Sequence, residues 1–254
     1  MAPDLRALTS AELNGMSALD LVRAAIAWQP NVKVASDALV FRSPDSAAAE
    51  YLVAAFARGE VPPWMTAHLL GQLRAAGGYD TVRGILLAAP GQLAESYAGT
   101  ALARIRGMEA LPDLVEVLNN APVARSREGA AFGLGVVGTP AAADAIFDAA
   151  AAGHLRVRTA AYVLGGMPVD QARVADALLS GNERLVRLGT ETVWSIASTA
   201  DRRPGGAPTF VRPDSCLDNA QRKVIADAQR DMTPSQRRAI DDWVAVIGKT
   251  TCRS

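Results

Sequence analysis

The chain has 254 residues with 26 basic and 26 acidic side chains, so it lacks the basic excess on which most phosphate-driven nucleic-acid binders rely. Hydrophobic residues make up 50% and aromatics only 5%, alanine is abundant, and β-branched runs are few, which argues against a large sheet and suits closely packed helices. No apolar stretch approaches the roughly 20 residues needed to span a bilayer, and the segment from Met1 to Leu8 has no apolar signal core, so no membrane partner and a cytoplasmic location are expected.

In chain order, Thr9-Ser10-Ala11-Glu12 has the capping-box pattern and predicts a short helix, followed by an amphipathic one from Ser17 to Trp28. Residues 1–44 then form an N-terminal helical cap. Helical hairpins are expected at about 46–77, 79–107, 109–138, 139–166 and 168–198, so that residues 45–199 hold about five. Pro62-Pro63-Trp64 marks a helix start and Gly77-Gly78 a stop. Leu111, Leu114, Val115 and Leu118 share one helical face. Thr139 caps a helix that begins at Pro140, and Pro168 opens a later one, while Gly138, Gly153, Gly166 and Gly181 are placed as left-handed helix ends. Residues 200–215 read as a loop rich in proline and glycine. Residues 216–254 read as a C-terminal capping hairpin with helices at about 217–231 and 234–247, the second capped by Thr233 and carrying Trp243 in its core.

An internal repeat organises the middle of the chain. Ala130, Ala131, Leu134 and Gly135 recur as Ala160, Ala161, Leu164 and Gly165, with weaker copies around Ala98, Gly99 and Leu102 and around Trp194. The positions Leu102, Leu134, Leu164 and Trp194 are spaced by roughly 30 residues, the length of a two-helix repeat unit. Gly133, Gly135 and Gly138 match a dinucleotide-binding fingerprint in spacing, but they lie within a helix with no strand before them.

The run Arg127-x-x-Ala130-Ala131-x-Gly133-Leu134-Gly135-x-Val137-Gly138, followed by Thr139-Pro140, resembles the HEAT-like repeat of phycobilisome lyases. The resemblance covers about 108–198 well and 45–107 weakly. It implies an all-α fold, an α-α superhelix or solenoid of helical hairpins of armadillo-like type, whose second helices line a concave face. Most proteins of this kind are interaction scaffolds, so the resemblance implies a non-catalytic adaptor for another protein. A lyase-like chaperone or enzyme acting on a partner protein is the alternative, and a nucleic-acid binder a lesser one. The di-iron hydroxylases of similar architecture carry His-Glu pairs, whereas His68 and His154 are each followed by leucine. With only two cysteines there is no zinc spacing, and neither a metal, a cofactor nor a catalytic set is expected.

Six residues are candidates for a binding patch. On the second helix of one repeat Phe132 points about 200° away from Leu134, with Arg125 and Glu128 on its side. Tyr162 is its equivalent in the next repeat, beside Arg158. Aromatics and arginine are the types enriched where partners bind most tightly. Arg127, Arg158 and Arg187 recur near second-helix starts. They predict either inter-repeat ion pairs, with Asp113, Glu128, Asp144, Glu183 or Glu191, or a ladder gripping an acidic partner. Cys216 precedes the first capping helix and Cys252 follows the second. Antiparallel helices would bring the two together as a disulfide, which would imply an exported chain; two unrelated thiols are the other reading.

Overall fold

The computed structural model describes residues 3–91, 93–180, 182–200, 216–217, 219–230, 234–247 and 250–251. Among these the chain is all helical, apart from a two-residue parallel pairing of Cys216–Leu217 with Thr250–Thr251. No helix among the described residues is long and apolar enough to cross a membrane. The chain divides into two compact units, Met1–Val137 and Gly138–Ser254.

The first unit begins with α1 (Ser10–Gly15), α2 (Ala18–Ala27) and α3 (Val32–Leu39). Thr9 and Glu12 close the expected capping box, each side chain bonding the other's main-chain amide. Ser17 caps α2 through the Asp20 amide. The sequence reading did not anticipate α3, whose Val32, Ala35, Ser36 and Leu39 are buried. Asn31, also fully buried, stitches the start of the chain to these helices. Its Oδ1 accepts from the Leu5 amide at 2.9 Å, and its Nδ2 donates to the Pro3 and Ala24 carbonyls at 2.9 and 3.1 Å.

Three helix pairs complete this unit: α4 (Ser46–Ala57) with α5 (Pro63–Leu73), α6 (Tyr79–Ala88) with α7 (Ala94–Arg106), and α8 (Leu111–Asn120) with α9 (Ala124–Val137). Pro63 starts α5 as its sequence suggests, but the helix ends ahead of Gly77-Gly78 because Arg74 itself turns left-handed at φ 51°. The second members, α5, α7 and α9, pack on one another in chain order. They do so at main-chain range. A Cβ on Gly99 would lie 1.8 Å from the Gly129 carbonyl oxygen, one on Gly133 would lie 2.4 Å from the Gly99 oxygen, and one on Gly129 would lie 2.4 Å from the Glu95 oxygen. Gly71 of α5 similarly faces the Ala101 methyl of α7, 2.8 Å from where its own Cβ would be. Leu102 and Leu134, two of the recurring leucines, are fully buried beside these contacts.

The second unit holds α10 (Pro140–Ala152), α11 (Val157–Leu164), α12 (Gln171–Leu178), α13 (Glu183–Ala200), α14 (Asn219–Ala228) and α15 (Pro234–Ile247). Thr139 caps α10 as expected, its Oγ1 accepting from the Ala142 amide at 3.2 Å, and Gly153 ends it at φ 87°. Two expectations are corrected. Gly166 is not left-handed, since α11 closes on Gly165 at φ −60°. And α12 opens at Asp170, whose carboxylate accepts from the Ala172 amide at 2.8 Å, rather than at Pro168. Here again α11 and α13 pack closely, with Gly165 pressed against Ser195. Val174, Leu178, Val186 and Val193 share a core with Ile225 of α14 and Ile240 of α15, and Trp194 packs partly buried against it. Arg173 of α12 donates to Asp144 at 2.5 Å and to Asp148, both on α10, and lies over the Phe147 ring. Gly181, the loop 201–214, the Thr233 cap, the Trp243 side chain and the pairing of Cys216 with Cys252 lie outside the described residues.

Arginines close several helix ends. Arg42 donates to the Leu13 and Met16 carbonyls at 2.7 and 2.5 Å, and Arg74 to the Arg42 carbonyl. Arg184 donates to the Ala150 and Leu155 carbonyls at 2.5 and 2.9 Å. Carbonyls at a helix C-terminus lack an intrahelical donor, and a cation there also meets the negative end of the helix dipole.

The glycine contacts predict substitutions of opposite sign. Gly→Ala in an open helical position stabilises by about 1 kcal/mol, whereas overpacking a close contact costs roughly 1–3 kcal/mol. Gly84, exposed in α6 with open space where a Cβ would stand, is the reference site. Urea unfolding should show Gly84→Ala more stable than wild type and Gly99→Ala less stable by about 2 kcal/mol. A Gly99→Ala protein as stable as wild type would refute the main-chain contact.

Candidate functional site

A cleft of about 600 Å³ opens on the first unit between α3, α5 and α7. Its wall follows from helix periodicity. Trp64, His68 and Gln72 stand at i, i+4 and i+8 on α5, one face of the helix, and all three line the cleft. The Gly71–Ala101 contact draws α7 alongside, which sets Tyr97 next to that stripe. The Tyr97 ring lies 4.8 Å from the His68 ring and 6.3 Å from that of Trp64, tilted by 59° and 42°. Across the cleft α3 presents Val32 and Ser36. The buried Gln72 amide donates to Ser36 Oγ at 3.0 Å, tying the floor to the opposite wall. At the rim Lys33 donates to Asp37 at 2.6 Å, both side chains largely in water.

The electrostatics of the wall centre on His68. Burial, above all, holds its imidazole below the usual value near 6.5; Arg104 pushes the same way and Asp37 opposes. At neutral pH the ring is therefore uncharged, with one nitrogen donating and the other accepting. The cleft thus offers three tilted rings, one side-chain amide and a hydroxyl, within the volume range of ordinary binding sites. Such a wall holds a flat or cyclic group by stacking, while its polar atoms fix the orientation.

The six expected binding residues fall into both units. Arg125, Glu128 and Phe132 lie on α9 in the first unit. Arg125 is exposed and its guanidinium leans over the turn at Gly91, while Glu128 and Phe132 are half-buried. Arg158 and Tyr162 lie on α11 in the second unit, both exposed, with Tyr162 at 66%. Arg187 lies on α13 and donates to Glu191 at 2.9 Å. Glu191, one of the acidic partners expected for these arginines, pairs with Arg187 from one turn along the same helix rather than from another repeat. Arg127 donates to the Ala121 and Pro122 carbonyls at 2.6 and 3.3 Å, at the end of α8. Asp113, expected to serve such an arginine, accepts from the Tyr79 hydroxyl at 2.6 Å and lies 3.9 Å from Arg106. Burial chiefly, and this bond next, push the Tyr79 hydroxyl up to about 12.

Sequence reasoning missed Trp64, His68, Gln72 and Tyr97 as a site. The signal was present in the four-residue spacing of the first three. It was obscured because Trp64 served only as a helix start, and because the facing helix α3 was not anticipated. No family model, curated protein or solved structure matches the chain.

The depressed imidazole gives a pH dependence of defined sign. Because His68 binds its proton less readily folded than unfolded, stability is full above about 6.5 and falls as pH drops through the unfolded value toward the folded one. Urea midpoints measured from pH 8 to pH 5 should fall more steeply for wild type than for His68→Gln. Parallel curves would show that the imidazole is as easily protonated folded as unfolded.

Proposed function

We propose that this chain is a HEAT-like helical-repeat protein, a solenoid of helical hairpins with caps at both ends, acting as a non-catalytic adaptor that holds another protein against its second helices. The observation that carries the reading is the packing order of those helices. In the first unit α5, α7 and α9 follow one another at main-chain distance. The repeat signature Ala-Ala-x-x-Leu-Gly sits on α9 and again on α11. Helices stacked this way spend their small residues on each other and leave a further face for larger ones. In the first unit such a face carries Trp64, His68 and Tyr97, and in the second unit, taken by itself, α11 exposes Tyr162 and Arg158. Rigid aromatics and arginine supply binding energy at low entropic cost, which favours a protein partner.

Affinity capture with cross-linking mass spectrometry tests the reading. The full chain is compared with a folded Phe132→Ala, Arg158→Glu, Tyr162→Ala variant. The expected result is a partner cross-linked to second-helix residues and depleted about tenfold or more by the variant. A partner cross-linked elsewhere and equally retained, or a bound pigment in place of a partner, would overturn it.

A further inference from the structure

Rings elsewhere in the molecule show what their faces attract. Arg6 stands over the Trp28 ring at 4.4 Å, Arg23 over Tyr51 at 5.1 Å, Arg106 over Tyr79 at 3.6 Å and Arg173 over Phe147 at 4.7 Å. The face of an aromatic ring is the negative lobe of its quadrupole, and a weakly hydrated cation is drawn to it. Trp64 and Tyr97 are half-buried and line the cleft, yet among the described residues no guanidinium or ammonium stands over either ring.

The arrangement of these rings selects the shape of the group that fits. The Tyr97 plane is inclined by 42° to that of Trp64 and by 59° to that of His68. A flat group laid on one ring is therefore tilted against the next, whereas a rounded head group meets rings at any inclination. The Trp64 and Tyr97 centroids are 6.3 Å apart, so one such head group can lie within the ~6 Å cation–π range of both.

The charges around the cleft admit a cation without drawing in a strongly hydrated one. Lys33 and Asp37 line it and cancel across 2.6 Å, and a pair so largely in water is held weakly. Burial keeps His68 uncharged at neutral pH; the Arg104 charge that also acts on it comes from outside the lining and is opposed by Asp37. Attraction is thus left to the ring faces. They favour a quaternary ammonium, which has no N–H bonds to water to give up, over a compact and strongly hydrated primary ammonium.

We propose that the cleft between α3, α5 and α7 is a binding site for a quaternary ammonium group, held on the faces of Trp64 and Tyr97 with Asp37 as its counter-ion. The group is the head of a free choline-type molecule or the side chain of a trimethylated lysine, which share this chemistry. The site is separate from Phe132, Arg158 and Tyr162, on which the adaptor reading is tested.

The test is isothermal titration calorimetry of the full chain with three probes: choline, its uncharged isostere in which a tert-butyl group replaces the trimethylammonium, and a short peptide bearing trimethyl-lysine. Choline is expected to bind at least tenfold more tightly than the isostere, and the tighter of choline and the peptide identifies the source of the group. Trp64→Ala should weaken that probe about tenfold and Trp64→Phe less, because the indole face is the strongest. Lys33→Ala, which frees the carboxylate, should tighten binding and Asp37→Asn should weaken it, each about threefold. Trp64 is only partly buried and Lys33 and Asp37 are exposed, and circular dichroism establishes that each variant is folded. An isostere that binds as well as choline, no binding of either quaternary ammonium, or binding unchanged in Trp64→Ala overturns the proposal, and each leaves the adaptor reading intact.

Discussion

Gly99, Gly129 and Gly133 bring the main chains of α7 and α9 into contact, and the geometry of the first unit follows from how little lies between them. Helices separated by side chains can adjust when a rotamer changes; helices whose carbonyls touch the neighbouring backbone cannot. The same economy recurs between Gly71 of α5 and Ala101 of α7. Tyr97 therefore sits beside His68 because of contacts elsewhere on α5 and α7, and the aromatic wall inherits its precision from residues that have no side chain at all. This is also why a chain with so few aromatics can be well packed: its helix contacts are built from alanine and glycine.

Arginine plays the complementary role at the helix ends. Arg42, Arg74, Arg127 and Arg184 each reach a main-chain carbonyl at a helix end or a turn beside one. The planar guanidinium can serve two acceptors in fixed directions, as Arg42 and Arg184 do, where an ammonium offers only a point charge. The near-absence of lysine, found only at Lys33, Lys223 and Lys249, thus has a structural counterpart, although composition alone suggests nothing more than nucleotide bias.

The all-helical character was legible because its signals are local. Thr9 with Glu12, Ser17 and Thr139 are caps, and a cap involves residues three apart. The buried leucines at 102, 134 and 164 were legible through their spacing. What escaped were features decided by distant partners. α3 follows Pro30 closely and is short, so its pattern of Val32, Ala35, Ser36 and Leu39 stayed unassigned within the expected cap of residues 1–44. The reach of Arg127 to a carbonyl six residues back depends on how the turn after α8 folds, which charge alone does not signal. The cleft needed α3, α5 and α7 together, and neither Trp64 nor Tyr97 announces a site until the other is placed beside it.

The main-chain contacts also set what the sequence can become. Glycine has no smaller replacement, so at positions 99, 129 and 133 every substitution adds volume where a carbonyl already stands. Drift there runs in one direction only, toward strain. Positions that face the cleft or the solvent are free of that limit. A lineage of such chains would keep its glycines as fixed points and diverge around them, so that relatives could share the frame while differing in everything they hold.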